Sequence, residues 1–129
     1  MKTRHVIGLS MLAGVALGAI AVQGLNAQTK PPVYFVADIS EVTDPEAWKA
    51  VTERPVSTLQ AMVKKFGGHY ITRTDKITAL DGSAPKRFII AQFPSAEKAK
   101  AWYNSPEQMK VNENRMKNTK SSSFLVEGM

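Results

Sequence analysis

The chain has 129 residues, a net charge of +6 from 17 basic and 11 acidic side chains, and no cysteine. That length holds one domain and excludes two of ordinary size, and the absence of cysteine excludes disulfide staples and a lipid-modified cysteine. Basic residues run from Lys30 to Lys120 mixed with acids, and no aromatic residues are interleaved in the most basic stretch, Lys110 to Lys120. This describes a solvated helix face, so no nucleic-acid partner is expected.

Lys2 and Arg4 precede an uncharged apolar run from Val6 to Val22, dense in glycine and alanine, and Ala27 offers a small residue for cleavage. Residues 1–27 are predicted to be a secretory signal peptide cut after Ala27, which makes the protein periplasmic or secreted and leaves it off the membrane once cleaved. An uncleaved anchor is the alternative, because the run is close to the minimum for spanning a bilayer. Its small residues favour cleavage. Residues 28–32 are then a short leader and 33–129 the folded domain.

Val33 to Ser40 is predicted as the first strand, with Val33, Phe35, Ala37 and Ile39 on one face and Tyr34, Val36 and Asp38 on the other. Asp44-Pro45-Glu46 starts a helix with a cap, a first-turn proline and an acid at the positive end. Trp48, Val51, Leu59, Met62, Val63 and Phe66 form its buried stripe. Pro55 lacks the N–H that the carbonyl of Val51 needs, so the helix is expected to kink or split there. Gly67 ends it. His69 to Thr74 is the second strand, which Ile77 to Leu80 is expected to continue, and Asp81-Gly82 is a turn.

Arg87 to Phe93 is an apolar third strand bounded by Pro85 and Pro94. Ser95 caps a helix whose buried stripe is Ala99, Trp102 and Tyr103, and Ser105-Pro106 starts another. The methionines Met62, Met109 and Met116 read as core gap-fillers. Ser121-Ser122-Ser123 leads into a last strand, Phe124 to Glu127. The order βαββαβ, with the second helix divided, predicts an α+β, ferredoxin-like fold: a four-stranded antiparallel sheet with helices on one face. Tyr34 and Val36 make the other face too apolar for water, which predicts a homodimer joined through that face.

Phe66-Gly67-Gly68, Arg73, Leu80-Asp81-Gly82, Pro85-Lys86-Arg87, Phe93-Pro94-Ser95, the run Ala101 to Pro106, Arg115 and Val126-Glu127-Gly128 occur in an order and spacing that name a family. From about Val33 to Gly128 the chain resembles the bacterial domain-of-unknown-function family DUF1330, of the dimeric α/β-barrel superfamily. The resemblance implies a barrel dimer in which two sheets face each other, and implies no particular chemistry.

The sequence carries no Gly-x-Ser-x-Gly, no phosphate-cradling glycine loop and no helical histidine pair. Downstream of residue 27 the one histidine is His69, too few for a histidine metal site in one subunit, and nothing suggests haem, flavin or another cofactor. His69 is a candidate general base or a plain strand-end residue. Arg73, Asp81, Arg87, Tyr103 and Arg115 fall on positions that recur in the family's pattern and form the candidate ligand site. Arginines on adjacent strands, with a tyrosine hydroxyl at the mouth, suit a small acidic or phenolic molecule. The structural alternative pairs Arg87 with Asp81 and Arg115 with a nearby acid. The chain departs from the family's pattern at Thr74-Asp75, Gln108 and Val51, where glycines, a tyrosine and an aromatic are usual.

Three functions follow: an exported homodimer that binds a small acidic or phenolic molecule, a cofactor-free monooxygenase or isomerase of the kind the superfamily contains, or an envelope protein-interaction module.

Overall fold

Strand pairing sets the architecture. In a computed structural model, which describes residues 30–129, β1 (Val33–Val42) pairs antiparallel with β3 (Arg87–Phe93) on one side and with β4 (Thr119–Glu127) on the other. β2 (His69–Thr74) pairs antiparallel with β3 at the far edge, giving the order β2-β3-β1-β4. Two helical crossovers connect the strands: α1 (Pro45–Thr52) and α2 (Val56–Lys64) between β1 and β2, then α3 (Ala96–Tyr103) and α4 (Pro106–Asn118) between β3 and β4. The fold is α+β and ferredoxin-like, with four helices among the described residues. The segment read as a signal peptide lies outside the described residues, and among those described no helix is long and apolar enough to cross a membrane.

Local chemistry explains each helix boundary. The Asp44 carboxylate accepts a hydrogen bond from the Ala47 N–H at 3.1 Å, and Pro45 supplies the first helical position. Ser95 and Ser105 cap α3 and α4 in the same way, accepting from Lys98 N–H at 3.2 Å and Gln108 N–H at 3.4 Å. The predicted break at Pro55 is present: α1 ends at Thr52 and α2 begins at Val56. At the end of α2, Gly67 has φ +76°, and the N–H groups of Gly67 and Gly68 donate to the carbonyls of Lys64 and Val63. This paired closure needs a left-handed residue at Gly67.

Alternation along the strands sorts the sheet into two faces. Phe35, Ala37, Ile39, Ile89, Ala91 and Phe93 point to the helices and pack with Trp48, Val51, Leu59, Val63, Ala99 and Trp102. Trp102 is the centre of this layer, edge-on to Phe35 at 4.9 Å between centroids and tilted against Phe93 at 5.1 Å. The opposite face carries Tyr34, Val36, Phe88, Ile90, Phe124 and Val126 with no helix over it. Phe124 and Val126 are 49% and 47% exposed in the single chain.

Three expectations need correction. Ile77 to Leu80 does not continue β2: residues 75–86 are an irregular loop, and Leu80 is fully exposed. The apolar residues there face no partner strand. β4 begins at Thr119, because the serines pair with β1 through backbone groups that need no apolar side chain. Met116 is exposed, so it fills no core gap.

A β-carbon added at Gly68 would lie 2.5 Å from the Phe93 ring and 2.7 Å from Val63 Cγ1. Gly68→Ala is therefore expected to cost roughly 1–3 kcal/mol, read as a lower melting temperature, whereas Gly82→Ala, in an open loop, is expected to cost about 1 kcal/mol.

Candidate functional site

One extra residue in β2 builds the site. His69 pairs with Gln92 and Tyr70 with Ala91, but the register then slips, so that Thr72 pairs with Ile90 and Arg73 with Ile89. Ile71 is the bulged residue. Without it Tyr70 and Arg73, three positions apart, would point to opposite faces; with it both point toward the helices. The Arg73 guanidinium carbon sits 5.0 Å from the centroid of the Tyr70 ring. Arg87 begins β3 opposite Ile39, on the same face.

The divided helix supplies the opposite wall. Thr52 and Val56 flank the Pro55 break, and Gln60 on α2 accepts the Tyr70 backbone N–H at 3.3 Å. Between these groups lies an open cavity of about 430 Å³, lined by Thr52, Gln60, Tyr70, Arg73 and Arg87 among others. The Nε atoms of Arg73 and Arg87 are both buried without a hydrogen-bond partner. The ion pairs among the described residues are Glu46–Lys49, Lys65–Glu107 and Glu41–Lys120, and none involves an arginine. Burial pushes the Arg73 guanidinium below its ordinary value; Tyr70 opposes the shift, and the positive charge of Arg87 adds to it. Burial likewise raises the Tyr70 phenol, against the pull of Arg73 and Arg115.

Arg115 stands further along the same layer. Its side chain is buried in α4, where Nη1 donates to Asn112 Oδ1 at 3.3 Å and Nη2 donates to Tyr103 Oη at 3.3 Å and, at the longer distance of 3.5 Å, to Ser123 Oγ. The Phe35 ring centroid is 6.0 Å from its guanidinium carbon. Neutral oxygens and an aromatic face thus disperse a charge that no carboxylate neutralises, and its Nε is also unpartnered. Asn112, with no exposed surface, organises the group: it accepts from Gln108 Nε2 at 3.0 Å and donates to the Tyr103 carbonyl at 2.9 Å.

Of the residues singled out from sequence, Arg73 and Arg87 line one cavity, while Tyr103 and Arg115 contact each other beside β4. Asp81 is exposed in the 75–86 loop and makes no ion pair with Arg87. His69 pairs with Gln92 and so faces away from the helices, exposed. The structural alternative, in which acids occupy Arg87 and Arg115, is absent among the described residues. Sequence reasoning missed Tyr70, hidden by the bulge, and the buried partners Gln108 and Asn112 that join Arg115 in a network. The latter had a signal: these residues recur at helical spacing on one side of α4, and that side is buried. No group of three or more histidine, aspartate or glutamate side chains suited to a metal occurs among the described residues.

Residues 32–129 match the family described as domain of unknown function (DUF1330), and the chain belongs to it. Among solved structures it is similar to a protein of unknown function from Rhodopseudomonas palustris, with 14% identity, a TM-score of 0.56, and coverage of 78% of this chain and 84% of that one. It is also similar to SnoaB, a cofactor-independent oxygenase from Streptomyces nogalater, with 14% identity, a TM-score of 0.50, and coverage of 74% and 91%. At these identities the likeness is one of fold. Among curated proteins none matches.

Because the fold raises the Tyr70 phenol, it favours the neutral form. That contribution is complete below the ordinary tyrosine value of about 10 and is lost as pH rises through the higher folded value. Thermal melts between about pH 9 and about pH 11 are expected to show wild type losing stability more steeply than Tyr70→Phe.

Proposed function

We propose that the protein is an exported homodimer that binds a small acidic or phenolic molecule in the cavity between Arg73 and Arg87. The observation that carries this reading is the pair of buried, unpartnered arginine Nε atoms in one cavity without a carboxylate beside them. A planar anion can accept parallel N–H bonds from a guanidinium. It would also offset the charge that burial disfavours on Arg73. Tyr70, kept neutral, can donate its O–H to the same ligand, and Thr52 and Gln60 add polar groups at the wall.

The fold shared with a cofactor-independent oxygenase favours a cofactor-free enzyme as the second reading. Proton abstraction at neutral pH needs a base poised near that pH. The cavity's arginines, raised tyrosine, hydroxyls and amide supply none, and the imidazole of His69 is on the other face. Binding therefore ranks ahead of chemistry.

Arg87→Met separates ligand site from structural support. With no acid to strand, the variant is expected to keep or slightly raise its melting temperature while losing at least about tenfold in affinity for benzoate or salicylate by calorimetry, since charge-assisted bonds contribute about 1.5–3 kcal/mol. A large fall in melting temperature, or benzoate binding equal to wild type, contradicts the ligand site.

Export is supported by the charge and apolar pattern of residues 1–27, and self-association by the uncovered sheet face that carries Phe124 and Val126. Native mass spectrometry of protein from its host is expected to find a dimer of chains beginning at Gln28. Phe124→Asp, at a half-exposed position that a single subunit tolerates, is expected to sediment as a monomer. A monomeric wild type would remove the dimer.

A further inference from the structure

We propose a second binding site, independent of the Arg73–Arg87 cavity: a pocket under α3 at the β4 edge that takes a small apolar molecule bearing a carbonyl oxygen, held by the hydroxyls of Tyr103 and Ser123. The pocket has a volume of about 230 Å³ and is walled by Phe35, Ala99 and Leu125, with Tyr103 and Ser123 as its hydroxyl groups and Lys100 also in its lining. This suits an apolar body with one polar end.

The polar end follows from donor bookkeeping. A guanidinium can only donate, so in the contacts to Arg115 Nη2 the oxygens of Tyr103 and Ser123 both act as acceptors. Each hydroxyl then has its own hydrogen to place elsewhere, and neither donates to any group among the described residues. Both oxygens lie within 3.5 Å of the same nitrogen, so one small ligand can reach the pair. The buried positive charge behind them polarises both O–H groups and strengthens them as donors. The Asn112 amide accepts from Arg115 and donates to the Tyr103 carbonyl, which holds the guanidinium and the tyrosine in register.

The ligand meets these hydroxyls and not the guanidinium itself, because Tyr103 and Ser123 line the pocket and Arg115 does not. A carboxylate would give up its hydration for two neutral hydroxyls against apolar walls, and the Lys100 ammonium in the lining is exposed to water, where pairing contributes little. A ketone or aldehyde oxygen, an acceptor with no charge to desolvate, fits both conditions. It is also distinct from the anion that the Arg73–Arg87 cavity suits, so failure of either site leaves the other standing.

The test compares acetophenone with ethylbenzene, which keeps the shape and lacks the acceptor, by titrating the full dimeric or monomeric protein as purified and following its backbone amides by NMR. Acetophenone is expected to shift the amides of Ala99 to Tyr103 and of Ser123 to Leu125, and to bind at least about tenfold more tightly than ethylbenzene. Tyr103→Phe and Ser123→Ala are each expected to reduce that preference several-fold while leaving ethylbenzene binding unchanged, which also shows the pocket intact. Ser123 is exposed, so its variant reads out the proposal even if Tyr103→Phe folds poorly. Equal affinities for the two compounds, no saturable shift up to the solubility limit, shifts confined to the Arg73–Arg87 cavity, or a preference untouched by Ser123→Ala would each overturn it.

Discussion

The space between helices and sheet holds the guanidinium groups of Arg73, Arg87 and Arg115, each with a buried Nε that no group among the described residues accepts, and no carboxylate among those residues comes within ion-pair distance of any of them. Arg115 is buried and Arg73 and Arg87 are half-buried, so desolvation of an unpaired charge is costly at the first and partly screened by water at the other two. The rest of the domain is arranged around tolerating that cost. Tyr70 offers Arg73 an aromatic face, and Phe35, Tyr103, Asn112 and Ser123 surround Arg115 with partial negative charge. The stabilising counterweight is the aromatic layer on Trp102, packed tightly enough that a β-carbon at Gly68 would displace Phe93 or Val63. A domain that stabilised itself alone would place a glutamate opposite these arginines. For Arg73 and Arg87, which line one cavity, the absence of that partner is the observation on which the proposed anion site rests.

Two irregularities give this layer its shape. The Ile71 bulge turns Arg73 inward beside Tyr70, and the Pro55 break opens a wall between Thr52 and Val56. Bulges are frequent at sheet edges and beside active sites, β2 is an edge strand, and Pro55 cannot continue the helix, so each irregularity has a local cause. Here both border the same cavity.

Much of the frame was legible in the sequence because it depends on local chemistry. Pro85, Pro94, Gly67 and the caps Asp44, Ser95 and Ser105 mark the ends of strands and helices by what their own backbones can do, and β3 and the His69–Thr74 part of the expected second strand fall where the sequence puts them. The faces of β1 also follow from simple alternation. The site was less legible, because alternation counts residues and a bulge changes the count without changing composition. Nothing in His-Tyr-Ile-Thr-Arg announces that Ile71 leaves the ladder. On α4 the signal was inverted: Gln108, Asn112 and Arg115 occupy the buried side, where the helical period normally carries leucines, so a basic stretch resembles a solvated face. The β4 serines hid a strand for a related reason, since their contribution is a backbone ladder and, at Ser123, a hydroxyl under Arg115.

The proposed site requires that Arg73 and Arg87 take one shared anion. The most direct measurement is the side-chain Nε–H resonances of the two arginines, followed by NMR as benzoate is added at constant ionic strength. The account predicts that both resonances move together along one saturable curve at millimolar benzoate or below, since a single ligand bridges both groups. Resonances that stay fixed, or that drift linearly and independently as unspecific surface contacts do, would contradict it.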